Sequence, residues 1–163
     1  MKFINILDCD IVNGKGIRVT LFVSGCSHKC KGCHNQESWN DNFGKDYTEE
    51  IENYLLELLK KPYIDGITLT GGDPLYFNNR ETILNLCKRI KKELPNKTIW
   101  LYTGYDYEEI DTLELLNYTD VVVDGKFILS LLDTTLAFRG SSNQRVIDVQ
   151  KSLKKGEIIL YED

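Results

Sequence analysis

The sequence predicts an α/β protein built as an incomplete (β/α) barrel, or open curved sheet, of about four to six mainly parallel strands. Three observations predict it. Short β-rich runs alternate with helical segments from residue 17 to residue 123, and elements of these lengths imply crossover connections between parallel strands. The chain has 163 residues, whereas a full eight-fold barrel needs about 250. Apolar residues make up 42% of it, with no repeat, low-complexity segment or Pro/Ser-rich linker, so residues 1–163 read as a single domain with room for a core.

Each element has its own signal. Residues 17–23 (Ile-Arg-Val-Thr-Leu-Phe-Val) read as the first strand. Residues 46–61 read as a helix, with Asp46 and Glu49 spaced as a capping box and Ile51, Leu55, Leu58 and Leu59 on one face. Residues 67–70 form the second strand. Residues 80–94 form a helix stopped by Pro95, burying Ile83, Cys87, Ile90 and Leu94. Residues 98–102 make the third strand, and 106–117 a third helix with a second box-like pair, Asp106 and Glu109. Residues 121–123 make a fourth strand, apolar on both faces. Residues 157–161 are expected to add a late edge strand.

The unusual sequences all follow strands. Ser24 to Cys33 follows the first, Gly71-Gly72-Asp73-Pro74 the second, Thr103-Gly104-Tyr105 the third and Asp124-Gly125-Lys126 the fourth. Ligands bind parallel sheets at the carboxyl ends of their strands. Asn13-Gly14-Lys15-Gly16 reads as a turn before the first strand, and 139–144 (Arg-Gly-Ser-Ser-Asn-Gln) as a surface loop.

Cys26, Cys30 and Cys33 form a C-x3-C-x2-C set. Three thiolates in one loop can hold one face of a 4Fe–4S cluster, leaving one iron open for a small molecule. S-adenosyl-L-methionine fits that opening, through its amino and carboxylate groups. Zinc on the three cysteines plus His28 or His34 is the alternative. A disulfide framework is disfavoured, because the cysteine count of five is odd and residues 1–7, interrupted by Asn5, do not make a secretory segment. Cys87 reads as a core residue, and Cys9 is not assigned as a ligand. His28 reads as a loop residue or a donor to cluster sulfur. Two glycines at 71 and 72 let main chain approach a ligand, with carbonyls suited to an ammonium group. Gly32 admits a cofactor base, and His34 is placed to stack on it or hydrogen-bond to it. The net charge of −5 offers no basic face to nucleic acid. No run approaches the ~20 apolar residues of a membrane span. A cytoplasmic protein is expected.

Six motifs then run in one order: Asp10-Ile11-Val12-Asn13-Gly14-x-Gly16, Leu21-Phe22-Val23-Ser24-Gly25-Cys26, Gly71-Gly72-Asp73-Pro74-Leu75, Trp100-x-Tyr102-Thr103-Gly104-Tyr105, Val123-Asp124-Gly125-Lys126-Phe127 and the 139–144 loop. Together, over residues 5–145, they resemble the radical S-adenosylmethionine activases that serve anaerobic ribonucleoside-triphosphate reductase. His34 stands where many members carry Tyr, and Asp73 where the wider superfamily often carries Glu. The resemblance implies a radical-SAM-type fold and a cluster on Cys26, Cys30 and Cys33. It also implies cofactor contacts from Gly32, Cys33, His34, Gly71, Gly72, Asp73 and Thr103. The implied reaction is reductive cleavage of S-adenosylmethionine to a 5′-deoxyadenosyl radical, which takes a hydrogen from a glycine of the reductase. No side chain is implied as acid, base or nucleophile. The implied partners are the reductase and a flavodoxin-type electron donor, with a homodimer inside the reductase complex.

Overall fold

The computed structural model describes residues 1–163. In chain order the elements are β1 (Lys2–Asp10), β2 (Arg18–Val23), β3 (Lys45–Asp46), α1 (Glu49–Leu59), β4 (Gly66–Gly71), α2 (Arg80–Glu93), β5 (Thr98–Tyr102), α3 (Tyr107–Ile110), β6 (Val121–Asp124), β7 (Arg145–Asp148) and α4 (Val149–Lys155). The strands make one seven-stranded sheet in the order β3-β1-β2-β4-β5-β6-β7. Strands β2, β4, β5 and β6 run parallel, while β1, β3 and β7 pair antiparallel. The order ends at β3 on one side and β7 on the other, so the sheet is open.

The expected four parallel strands are present, but the sheet is larger and more mixed than expected. The added strands lack the continuous apolar run of a buried parallel strand; β1 reads Lys-Phe-Ile-Asn-Ile-Leu-Asp-Cys-Asp and is buried only at Phe3 and Asp10. The late strand expected at 157–161 reduces to one bridge, Ile147 to Leu160. Helix α1 is capped by Thr48, whose Oγ1 accepts from the Ile51 amide at 3.3 Å; Asp46 is instead paired with Lys2 in the sheet. The third helix stops after one turn and resumes as a 3-10 segment, Glu114–Tyr118. Its expected box forms, with Asp106 N–H donating to Glu109 Oε2 at 2.7 Å.

Strand alternation divides the sheet into two unlike faces. Val19, Leu21, Val23, Ile67, Leu69, Ile99, Leu101 and Val122 point to the helices and join a core of 25 buried residues. The opposite face carries Arg18 and Thr20 on β2, Thr68 and Thr70 on β4, Trp100 and Tyr102 on β5, and Val121 and Val123 on β6, aligned by the parallel register. This second face is polar at its centre. Arg18 is 1% exposed and donates to Thr68 Oγ1, Thr98 Oγ1, and the carbonyls of Lys15, Ile67 and Thr98, at 2.7–3.1 Å. All five guanidinium N–H groups are thereby satisfied. Burial lowers its pKa to about 10, so it stays charged at neutral pH. Trp100 covers the guanidinium from 5.5 Å and is itself met edge-on by Phe138 and Tyr161. The cross-strand hub closes the amino end of this face. Its carboxyl end is where the loops after β2, β4, β5 and β6 emerge.

Candidate metal centre

The four strand-end loops converge as expected. They border a cavity of about 540 Å³ lined by Cys26, Cys30, Cys33, His28, His34, Gly71, Gly72, Asp73, Thr103, Gly104, Gly125 and Arg139, with Val12, Phe127, Leu136 and Phe138 as an apolar wall. Of the residues expected at the site, Gly32 is the one outside this lining. A Cβ at Gly32 would meet Leu129 at 3.0 Å, so its bare α-carbon is used against the segment after β6.

All three thiols are free and partly buried. The loop turns tightly, with Cys33 N–H donating to the Cys30 carbonyl at 3.1 Å and Lys29 at φ 51°. Cys33 Sγ accepts from the Asn35 amide at 3.4 Å. Burial pushes the Cys26 thiol up to about 11, against the pull of the His28 and Lys29 amides. A metal must therefore displace its proton to bind.

His28 is the residue that sequence reasoning undervalued. Its Nε2 lies 2.7 Å from Asp73 Oδ2, and the two side chains are 7% and 1% exposed. The same Oδ2 accepts from Thr103 Oγ1 at 3.0 Å and the Gly104 amide at 2.9 Å, while Oδ1 accepts from the Leu75 amide at 2.8 Å. The imidazole packs edge-on to Tyr105, centroids 4.6 Å apart. It also occupies the space where a Cβ at Gly104 would stand, 2.4 Å away. One buried carboxylate thus ties the cysteine loop to the loops after β4 and β5. Both oxygens of this buried carboxylate are satisfied, as burial demands.

The glycine pair joins the same construction. Gly72 N–H donates to the Val23 carbonyl, and Asp73 N–H to the Gly25 carbonyl, both at 2.7 Å. A Cβ at Gly72 would lie 2.5 Å from the Gly25 oxygen and 2.9 Å from the Ser38 oxygen. A side chain at Gly72 would therefore be directed at the backbone leading into Cys26. Gly72→Val is expected to distort the cysteine loop, lowering iron incorporation and costing about 1–3 kcal/mol through overpacking. Iron analysis and denaturant unfolding check this; normal iron content in the valine variant would contradict the packing account. His34 remains exposed, its ring 6.3 Å from Phe127.

The donor set fits an iron–sulfur cluster better than a single zinc ion. His28 Nε2 is committed to Asp73 and so is not free as a fourth zinc ligand. The three thiols instead share a cavity wide enough for a cluster and a further ligand. No helix is long and apolar enough to cross a membrane.

Comparison with known proteins agrees with this chemistry. Residues 12–147 match the family model described as a 4Fe-4S single cluster domain. A protein of Enterobacteria phage T4 is 51% identical over 146 residues, covering 90% of this chain and 93% of its own. One from Vibrio cholerae is 50% identical over 139 residues, covering 83% and 90%. One from Escherichia coli K12 is 46% identical over 141 residues, covering 84% and 92%. All three are named anaerobic ribonucleoside-triphosphate reductase-activating protein.

Proposed function

Because the chain belongs to the family of anaerobic ribonucleoside-triphosphate reductase-activating proteins, we propose that it is the enzyme that activates such a reductase by placing a glycyl radical on it. The observation that carries the mechanism is the meeting of three free thiols with three other strand-end loops at one cavity. Cys26, Cys30 and Cys33 would hold a 4Fe–4S cluster. When bound, that cluster would supply the one electron for reductive cleavage of S-adenosylmethionine to methionine and a 5′-deoxyadenosyl radical, the species that would take the α-hydrogen of a reductase glycine.

The chain's own residues do the positioning, as is usual where cofactors carry the chemistry. The His28–Asp73 contact sets the cysteine loop against Thr103 and Gly104. Gly72 borders the cavity and its carbonyl accepts no hydrogen bond within the protein, which leaves that carbonyl available to an ammonium group. Asp73 contributes through the loops it binds, since both its oxygens are occupied. Cys33, His34, Gly71 and Thr103 border the same space. Val12, Phe127, Leu136 and Phe138 exclude water from one side. In this reading the radical-SAM barrel is represented by the parallel strands β2, β4, β5 and β6, and the reductase supplies the remaining cover. A flavodoxin-type donor and a homodimer within the reductase complex belong to the same reading and rest on the family resemblance. A cytoplasmic location is part of the same reading.

The test is spectroscopic. Anaerobically reconstituted, reduced protein with S-adenosylmethionine and a cognate reductase should give a glycyl radical by electron paramagnetic resonance. Deuterium placed on the target glycine should appear in 5′-deoxyadenosine. Cofactor cleavage without that transfer would redirect the activity to a small-molecule substrate.

A further inference from the structure

Among the residues lining the cavity there is one lysine or arginine, Arg139. It lies in the loop that sequence reasoning assigned to the surface. The loop is built to hold it. Phe138, immediately before it, adopts φ 63°, a left-handed conformation rare for a bulky L residue and concentrated at functional sites. Its ring is held edge-on against Trp100, centroids 5.0 Å apart, which keeps that conformation in place. After it, the Gly140 and Ser141 amides donate to Gln144 Oε1 at 3.0 and 3.1 Å, and Gln144 Nε2 donates to the Gly125 carbonyl at 2.9 Å. The segment is thus pinned onto the end of β6.

Within this frame the Arg139 guanidinium makes a single hydrogen bond, from Nη1 to the Gln144 carbonyl at 2.6 Å. No carboxylate forms an ion pair with it; Asp133, in the same loop, feels its charge, but its oxygens do not hydrogen-bond to the guanidinium and Oδ1 is taken by Thr135. Arg145 shows the contrast, paired with both Asp124 and Glu108. The cavity's own carboxylate, Asp73, already takes four donors. A fixed cation with free N–H groups on a cavity calls for an anionic ligand, and a carboxylate matches its fork.

We propose that Arg139 binds the α-carboxylate of the methionyl group of S-adenosylmethionine. The assignment rests on the reading that this cofactor occupies the cavity. The carboxylate is the cofactor's one anionic group; its ammonium and sulfonium are repelled by the guanidinium. Arg139 therefore sets the polarity of binding, directing the carboxylate to itself and leaving the ammonium for the opposing carbonyls.

The experiment is anaerobic calorimetric titration of cluster-loaded protein with S-adenosylmethionine and with its decarboxylated analogue. Arg139→Gln should weaken S-adenosylmethionine binding by about 10- to 100-fold, the range for a charge-assisted hydrogen bond. It should change affinity for the analogue by less than about threefold, with iron content unchanged. Arg139→Lys should restore most of the loss. Equal losses for both ligands, or a lysine variant no better than glutamine, would overturn the carboxylate assignment. Unchanged affinity would do the same while leaving the cofactor reading intact. If the unsubstituted protein bound no S-adenosylmethionine, the cofactor reading would fail first and Arg139 with it. Where the analogue binds too weakly to titrate, the lysine comparison decides.

Discussion

Alanine at Cys26, Cys30 or Cys33 is expected to abolish iron incorporation and reductase activation, whereas alanine at Cys9 or Cys87 should leave both within about twofold of the unsubstituted protein. The asymmetry follows from position. A 4Fe–4S cluster takes its stability from thiolate ligands, and three already leave one iron without protein support. The cavity contains no other thiol to replace a lost one. Cys87 lies on the buried face of α2 with no exposure, and burial pushes its thiol up to about 12. It is a small core hydrophobe, and its truncation costs on the order of 1 kcal/mol by leaving a small void. Cys9 is exposed on β1 and does not border the cavity. Iron and sulfide analysis after anaerobic reconstitution reads the result directly. Loss of the cluster in the Cys87 variant, with unchanged circular dichroism, would show that the ligand set is wrong.

What could be read from the chain follows the range of each signal. Helix α2 and strands β4 and β5 carry local periodicity dense enough to find without neighbours. Strand β7 is four residues long and is defined by its antiparallel return onto β6. Nothing within Arg-Val-Ile-Asp announces that. At the site, the cysteine spacing is a local signal and was legible. The partnership of His28 with Asp73 joins residues 45 positions apart, so only the fold reveals it. Arg139 was hidden for a different reason. A polar, glycine-containing loop has the composition of a surface turn, and its placement at the cavity depends on Phe138 packing against Trp100 of β5.

Asp73 is expected to be the most sensitive position outside the cysteines. Asp73→Ala would orphan four donors at once: His28 Nε2, Thr103 Oγ1, and the Gly104 and Leu75 amides. Breaking a buried, charge-assisted set of this kind costs about 3–5 kcal/mol. The loss also frees the cysteine loop from its two neighbours, so the cluster should become labile. Asp73→Asn tests the mechanism more finely. With its carbonyl oxygen turned to the Oδ2 position, asparagine still accepts from His28, Thr103 and Gly104 and fails only Leu75. Its expected cost is about 1–2 kcal/mol. His28→Phe keeps an aromatic edge against Tyr105 but removes one donor, and should fall between the two. Denaturant unfolding of the iron-free protein gives this order, and iron retention under a chelator should follow it. If phenylalanine at 28 held iron as firmly as histidine, the hydrogen bond to Asp73 would not be what secures the cysteine loop, and ring packing alone would have to account for it.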